Sequence, residues 1–214
     1  MIEIEGVTKK YGDTVALEDV SLRLRRGEVH ALVGPNGSGK TTLLDISLGR
    51  VLPDSGEVVR DGKVGCAFQE PRVLDDLTVA ENISVFGADE ALAEKLRLDR
   101  VYDRRVSALS GGFRKKLDIA LALADEPETV LLDEPLDELD DVSKRRLVEV
   151  IGEYAEGGKA VLVSTHRLDD FDGIDYLTVL YDGEVLLSSP TDELDVPPQE
   201  AYLRAVERRE DEDG

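Results

Sequence analysis

The chain has 214 residues, of which 47 are Asp or Glu and 26 Lys or Arg, for a formal net charge of −21. That length buries roughly 70% of the unfolded surface in one well-filled core with at most a smaller lobe. The charge argues against electrostatic capture by nucleic acid or an anionic lipid surface.

The single cysteine, Cys66, cannot form an internal disulfide, and its apolar setting Val64-Gly65-Cys66-Ala67-Phe68 reads as a buried, inert thiol. Met1 to Glu5 lacks a basic region followed by an apolar stretch, and no run approaches the roughly 18 apolar residues of a membrane span, so the chain reads as intracellular. The acidic excess is spread along the whole length, which fits a high-salt cytoplasm where the screening length falls to about 3 Å at 1 M.

Ile2 to Arg26 alternates apolar and polar residues around turns at Gly12-Asp13 and Arg26-Gly27, the pattern of a half-buried antiparallel sheet. Val29 to Val33 is nearly continuous in apolar character, as a strand buried on both faces should be, and Lys40 to Leu48 follows as a helix. Glu57 to Arg60 and Val64 to Phe68 read as strands flanking an Asp61-Gly62 turn. Between Gln69 and Ser110 the spacing turns helical: Val79 to Phe86, Glu90 to Leu98 and Arg100 to Val106 form a small insertion, with the helical subdomain spanning about 73–125.

Phe113 to Ala124 is then a helix, Thr129 to Leu132 a buried strand, Val142 to Tyr154 a helix and Ala160 to Ser164 another buried strand. Such alternation implies an α/β fold whose mainly parallel sheet has helices on both faces. Tyr176 to Tyr181 and Glu184 to Leu187 form a hairpin about Asp182-Gly183. Gln199 to Glu207 is the last helix, and the acidic end from Arg208 reads as frayed. The division is one domain over 1–190, followed by a C-terminal helix and acidic tail over 191–214.

Three segments carry chemistry. Gly34-Pro35-Asn36-Gly37-Ser38-Gly39-Lys40-Thr41-Thr42 fits G-x-x-x-x-G-K-[ST] between a buried strand and a helix, where bare backbone N–H groups and a helix N-terminus cradle phosphate. Lys40 reaches the β- and γ-phosphates and the Thr41 hydroxyl ligates Mg²⁺, while Thr42 contacts the α-phosphate or packs the helix. Asp133 ends a buried strand, the place where parallel sheets put ligand groups, and would hold Mg²⁺. Glu134 beside it is the candidate base for the attacking water. His30 falls inside a buried strand and reads as a satisfied core or edge residue, whereas His166 ends a strand within reach of a γ-phosphate.

With these residues in place, the chain resembles the ATP-binding-cassette family from about Ile2 to Leu187. Seven motifs appear in order: Tyr11 at the adenine-stacking position, the Gly34–Thr42 Walker A loop, Gln69 of the Q-loop, the Leu109–Gly112 signature, Leu131–Glu134 as Walker B, Asp140 of the D-loop and the switch His166. The resemblance implies a P-loop fold with an antiparallel β subdomain and a helical subdomain. It further implies a head-to-tail dimer with two ATP molecules held between one Walker A loop and Ser110, Gly111 and Gly112 of the other subunit.

The expected catalytic residues are Glu134, His166, Lys40 and Gln69. Thr41, Gln69 and Asp133 are the expected metal ligands, and Asp140 joins the nucleotide contacts. The implied activity is Mg²⁺-dependent ATP hydrolysis coupled to a separate membrane permease, which places the chain in the cytoplasm at the inner face of the membrane.

Phe113 replaces the usual signature glutamine, so a polar contact is lost there, and Leu136 and Asp137 replace small or hydroxyl residues before Asp140. Two alternatives accompany this reading: a soluble ABC ATPase with a regulatory or assembly role, and a nucleotide clamp that scarcely hydrolyses.

Overall fold

A computed structural model describes residues 1–68 and 71–213. Strands β1 (Ile2–Tyr11), β2 (Thr14–Leu24) and β4 (Ser55–Arg60) form an antiparallel sheet in the order β2-β1-β4. A second sheet has the order β5-β6-β7-β3-β8-β9 and is built from β3 (Val29–Val33), β5 (Val64–Ala67), β6 (Thr129–Asp133), β7 (Ala160–Thr165), β8 (Tyr176–Tyr181) and β9 (Glu184–Pro190). Its pairs are parallel except β8 with β9.

Helix α1 (Lys40–Ser47) contributes Leu43, Leu44 and Ile46 to a core shared with Ile2, Ile4 and Leu24 of the first sheet and Leu32, Leu131 and Leu162 of the second. The intervening residues of the same strands, Ala31, Val33, Val130, Leu132, Val161 and Val163, point into the other core. There they meet α2 (Val79–Phe86), α3 (Glu90–Lys95), α4 (Gly111–Ala122), α5 (Asp141–Glu156) and α6 (Pro198–Asp213). Strands buried on both faces explain why the sequence there is apolar without alternation.

The Asp61-Gly62 turn lies between two strands as expected, and these enter different sheets, because β4 pairs with β1 and β5 with β6. Two expectations need correction. Arg100 to Val106 is not a helix: 3-10 turns occupy Leu98–Val101 and Val106–Ala108, and the chain between them lies along α2. The Tyr102 and Arg104 carbonyls accept the N–H groups of Ala80 and Val79, which helix formation leaves unpaired at the start of α2.

The last helix does not fray at Arg208 but continues to Asp213. Ala201 is buried against the core with Tyr202, Ala205 and Val206 packed beside it, and Arg209 meets Glu184 of β9 at 3.2 Å.

Candidate active site

Parallel strands bring their carboxyl ends to one edge of the sheet. Val33 aligns with Thr165 and Asp133 with Ser164, so the loop after β3, the Asp133-Glu134 pair after β6 and His166 after β7 emerge side by side.

The loop Gly34 to Thr42 has a backbone only glycine can supply at two points. A Cβ on Gly34 would overlap the Leu180 carbonyl and lie 2.6 Å from Ser38 Oγ. Gly39 sits at φ +105° as the N-cap of α1. That helix has no side-chain cap and no acidic residue in its first turn, so its leading N–H groups and positive end are left for an anion.

Ser38 is buried, and its hydroxyl has no hydrogen-bond partner among the described residues, an orphan that a phosphate oxygen would satisfy. Lys40 is buried as well, its ammonium donating to the carbonyls of Gly34 at 2.7 Å and Pro35 at 3.1 Å. Burial lowers its pKa, and the charges of Glu134 and Asp133 oppose that shift. Pro35 and Thr42 are half-buried, while Asn36, Gly37 and Thr41 are exposed at the mouth of the loop. The Tyr11 ring is exposed at the end of β1, with the Lys9 ammonium 5.5 Å from its centre.

Asp133 is buried and accepts a hydrogen bond from the Ser164 hydroxyl. Among the described residues no cationic side chain forms an ion pair with it. A buried carboxylate with only a neutral donor and the exposed Thr41 hydroxyl of the phosphate loop are the kind of hard oxygen ligands that Mg²⁺ takes. The third expected ligand, Gln69, lies outside the described residues.

Glu134 follows at φ +46°, its N–H donating to Ser164 O at 3.2 Å and Ser164 Oγ at 3.1 Å, so the chain turns sharply between the two carboxylates. Glu134 is buried, and Oε2 lies 3.1 Å from Nδ1 of the more exposed His166. Burial raises the Glu134 pKa, His166 and Lys40 pull it back, and Asp137 adds to the rise. Ligand atoms of Glu134, Asp137 and His166 all lie within 4.8 Å of one another. His30, by contrast, is a core residue bonded through Nε2 to Thr178 Oγ1 at 2.8 Å.

Ser110 is the N-cap of α4, exposed, with no side-chain capping bond. Gly111 is exposed too, and Gly112 is half-buried beside the Glu138 main chain. Asp140 caps α5 through Ser143, its carboxylate accepting from Ser143 N at 2.8 Å and Oγ at 3.1 Å. Phe113 does more than lose a polar contact: its ring lies 4.5 Å from the Lys116 ammonium, which donates to Ser143 Oγ at 3.1 Å.

Motif reading missed Ser164, Lys115, Asp118 and the approach of Asp137. A polar residue inside the buried strand Val161-Leu162-Val163-Ser164 was the available signal for the first, and two charges three apart on the buried face of α4 for the next two.

A family model described as ABC transporter matches residues 17–137. The lantibiotic transport ATP-binding protein SrtF of Streptococcus pyogenes is 30% identical over 210 residues, covering 90% of this chain and 92% of that protein. The aliphatic sulfonates import ATP-binding protein SsuB 1 of Nocardia farcinica is 38% identical over 178 residues, 79% of this chain and 73% of the relative. A solved dimeric structure of the ATP-binding cassette MJ0796, in a post-hydrolysis state bound to ADP and Pi, superposes with a TM-score of 0.79 at 30% identity, covering 89% of this chain and 98% of that one.

Proposed function

This chain belongs to the ABC transporter family as one of its ATP-binding subunits, and on that premise we propose how its residues divide the work of ATP hydrolysis. Two cassettes close head to tail over ATP, and the closure drives a separate membrane permease. Lys40 and the N–H groups of Gly37 to Thr42 bind the phosphates, and Tyr11 offers the adenine a flat face. Ser110, Gly111 and Gly112 meet the γ-phosphate held by the other subunit, since the uncapped start of α4 presents a hydroxyl, N–H groups and a positive helix end.

Glu134 takes or orients the proton of the attacking water, and His166 holds the Glu134 carboxylate while reaching the γ-phosphate edge. When bound by Asp133, Thr41 and Gln69, Mg²⁺ supplies positive charge for the phosphate oxygens. Asp140 fixes the start of α5 beside the signature turn. No described helix is long and apolar enough to cross a membrane, so attachment to the membrane falls to the permease.

The observation that supports this reading best is the contact of buried Glu134 with His166 on the sheet edge where the Lys40 ammonium senses both Asp133 and Glu134. Phosphate release from Mg-ATP by the purified chain, abolished by chelator and restored by Mg²⁺, tests the hydrolase. Recovery of a multi-span membrane protein with the tagged chain from native membranes tests the permease. A hydrolysing chain that brings down no such protein would instead mark a soluble ATPase.

A further inference from the structure

Helix α4 buries three charged side chains that the mechanism above does not use: Lys116, which donates to Ser143 Oγ, and the two that bond to the main chain, Lys115 and Asp118. Lys115 and Asp118 are 5% and 2% exposed, on a helix whose other buried residues include Leu117, Ile119 and Ala120. Apolar side chains would fill that face at lower cost, because a buried charge loses its hydration. Among the described residues neither forms an ion pair within 4 Å, and both direct their hydrogen bonds to main-chain atoms of other elements.

The Lys115 ammonium donates to Phe68 O at 2.9 Å and to Asp133 O at 2.9 Å. The Asp118 carboxylate accepts from Phe68 N at 3.3 Å and Arg72 N at 2.8 Å. Phe68 and Arg72 flank Gln69 in the sequence. The Phe68 ring is gripped in turn by the guanidinium groups of Arg50 at 3.7 Å and Arg72 at 4.8 Å, and Arg50 pairs with Asp45 of α1 at 3.2 Å. The helix that starts at Ser110 is thereby bonded to the end of β6, to both flanks of Gln69 and, through Phe68, to the helix of the phosphate loop.

We propose that Lys115 and Asp118 are positioning residues that lock the backbone on both sides of Gln69 to the Asp133 end of β6, so that α4 carries the two as one body. The proposal rests on the hydrolytic reading above. Closure of the signature turn on a partner's nucleotide then shifts the flanks of Gln69 and the carrier of Asp133 together, and a displacement of the Gln69 flanks returns along the same bonds. Burial pushes the Asp118 pKa up to about 7, while Lys115 and the Phe68 N–H pull it back. Once ionised, its two carboxylate oxygens accept the two N–H groups at once, which an amide cannot do: in Asp118→Asn, one N–H would face the amide's own N–H groups.

The test compares Asp118→Asn with Ile119→Ala, a fully buried neighbour on α4 without a polar bond to either segment. Both are made in the full chain, with steady-state hydrolysis of Mg-ATP and amide hydrogen exchange across 64–75, with and without Mg-ATP, as readouts. Asp118→Asn is expected to lower kcat about tenfold with KM for Mg-ATP within about twofold, the pattern of displaced rather than unbound groups. ATP-dependent protection of 64–75 is expected to vanish.

Ile119→Ala should lower the unfolding midpoint at least as much while keeping kcat within about twofold and the protection intact. Should Asp118→Asn fail to fold, Lys115→Gln, which loses the reach to Asp133 O, is read in the same way. Unchanged kcat and protection in the Asp118 variant, or equal losses in Ile119→Ala, would overturn the proposal. A wild-type chain that releases no phosphate would sink the hydrolytic reading along with it, whereas a hydrolysing wild type with an indifferent Asp118→Asn sinks the positioning role alone.

Discussion

The Nδ1 atom of His166 lies 3.1 Å from Oε2 of Glu134, joining the ends of β7 and β6 beside the phosphate loop. If His166 acts by holding the Glu134 carboxylate, the two residues form one unit. Glu134→Gln is expected to cut hydrolysis at least about 100-fold, the size of a lost positioned base, while an ATP-dependent dimer persists on a sizing column. His166→Ala should also be severe, and the double variant no worse than Glu134→Gln alone. Additive losses, or a monomeric Glu134→Gln chain under saturating ATP, would separate the pair.

The phosphate loop tolerates a side chain at some glycines and not at others. A Cβ on Gly34 meets the Leu180 carbonyl, which is backbone and cannot swing away, whereas one on Gly37 meets nothing within 4 Å and only its φ of +86° resists. Gly37→Ala should cost about 1 kcal/mol. Gly34→Ala should cost about 2–3 kcal/mol, as overpacking against a fixed group does. Chemical denaturation of both variants checks the order, and equal midpoints would refute it.

Phe113 is placed by its contact with Lys116, which continues through Ser143 to Asp140. Burial lowers the Lys116 pKa while Asp140 opposes the shift, so the ring face and the Ser143 hydroxyl stabilise a charge short of water. Phe113→Gln should therefore lower stability by about 1 kcal/mol, roughly 3 °C in Tm for a chain of this size. Hydrolysis should change by less than about threefold. A tenfold gain in hydrolysis would mean that a glutamine contact to nucleotide is what Phe113 had removed.

Much of this was legible in the sequence because the elements are local and the motifs sit where strands end. Val29 to Val33 followed by Gly34 announced both the buried strand and the phosphate loop, and Val130 to Asp133 announced the carboxylate. The partners drawn in by tertiary structure were not legible. Ser164 joins Asp133 only because β6 and β7 run side by side in that register, and Asp118 reaches Phe68 and Arg72 across 50 and 46 residues. Tyr102 to Val106 has helical spacing, yet its backbone is spent satisfying Leu77 to Ala80.

The acid excess makes a prediction that the fold does not. With 47 acidic against 26 basic side chains, self-repulsion opposes the compact state. The ion pairs are mostly exposed or half-exposed, so screening costs them little. Raising KCl from about 0.1 to 1 M shortens the screening length from about 10 to 3 Å, and the unfolding midpoint should rise across that range. A steady fall would contradict it.

His30 makes stability fall with acid, against the opposite pull of Asp118, whose pKa burial raises to about 7. Its ring is 2% exposed, bonded to Thr178 and packed 4.7 Å from the Tyr176 ring, and burial pushes its pKa from 6.5 down to about 3. The unfolded chain therefore takes up a proton near pH 6.5 that the folded chain refuses until about pH 3. The stability His30 confers is complete above pH 6.5 and drains away as pH falls through that window, by at most about 1.4 kcal/mol per pH unit. His30→Gln keeps a polar atom for Thr178 but cannot titrate. Between pH 6.5 and 5, before most carboxylates protonate, its unfolding free energy should fall less steeply with acid than that of the wild type, even if it starts lower at pH 8. Equal slopes in urea unfolding at pH 6.5, 6 and 5 would show that His30 takes up its proton in the folded state.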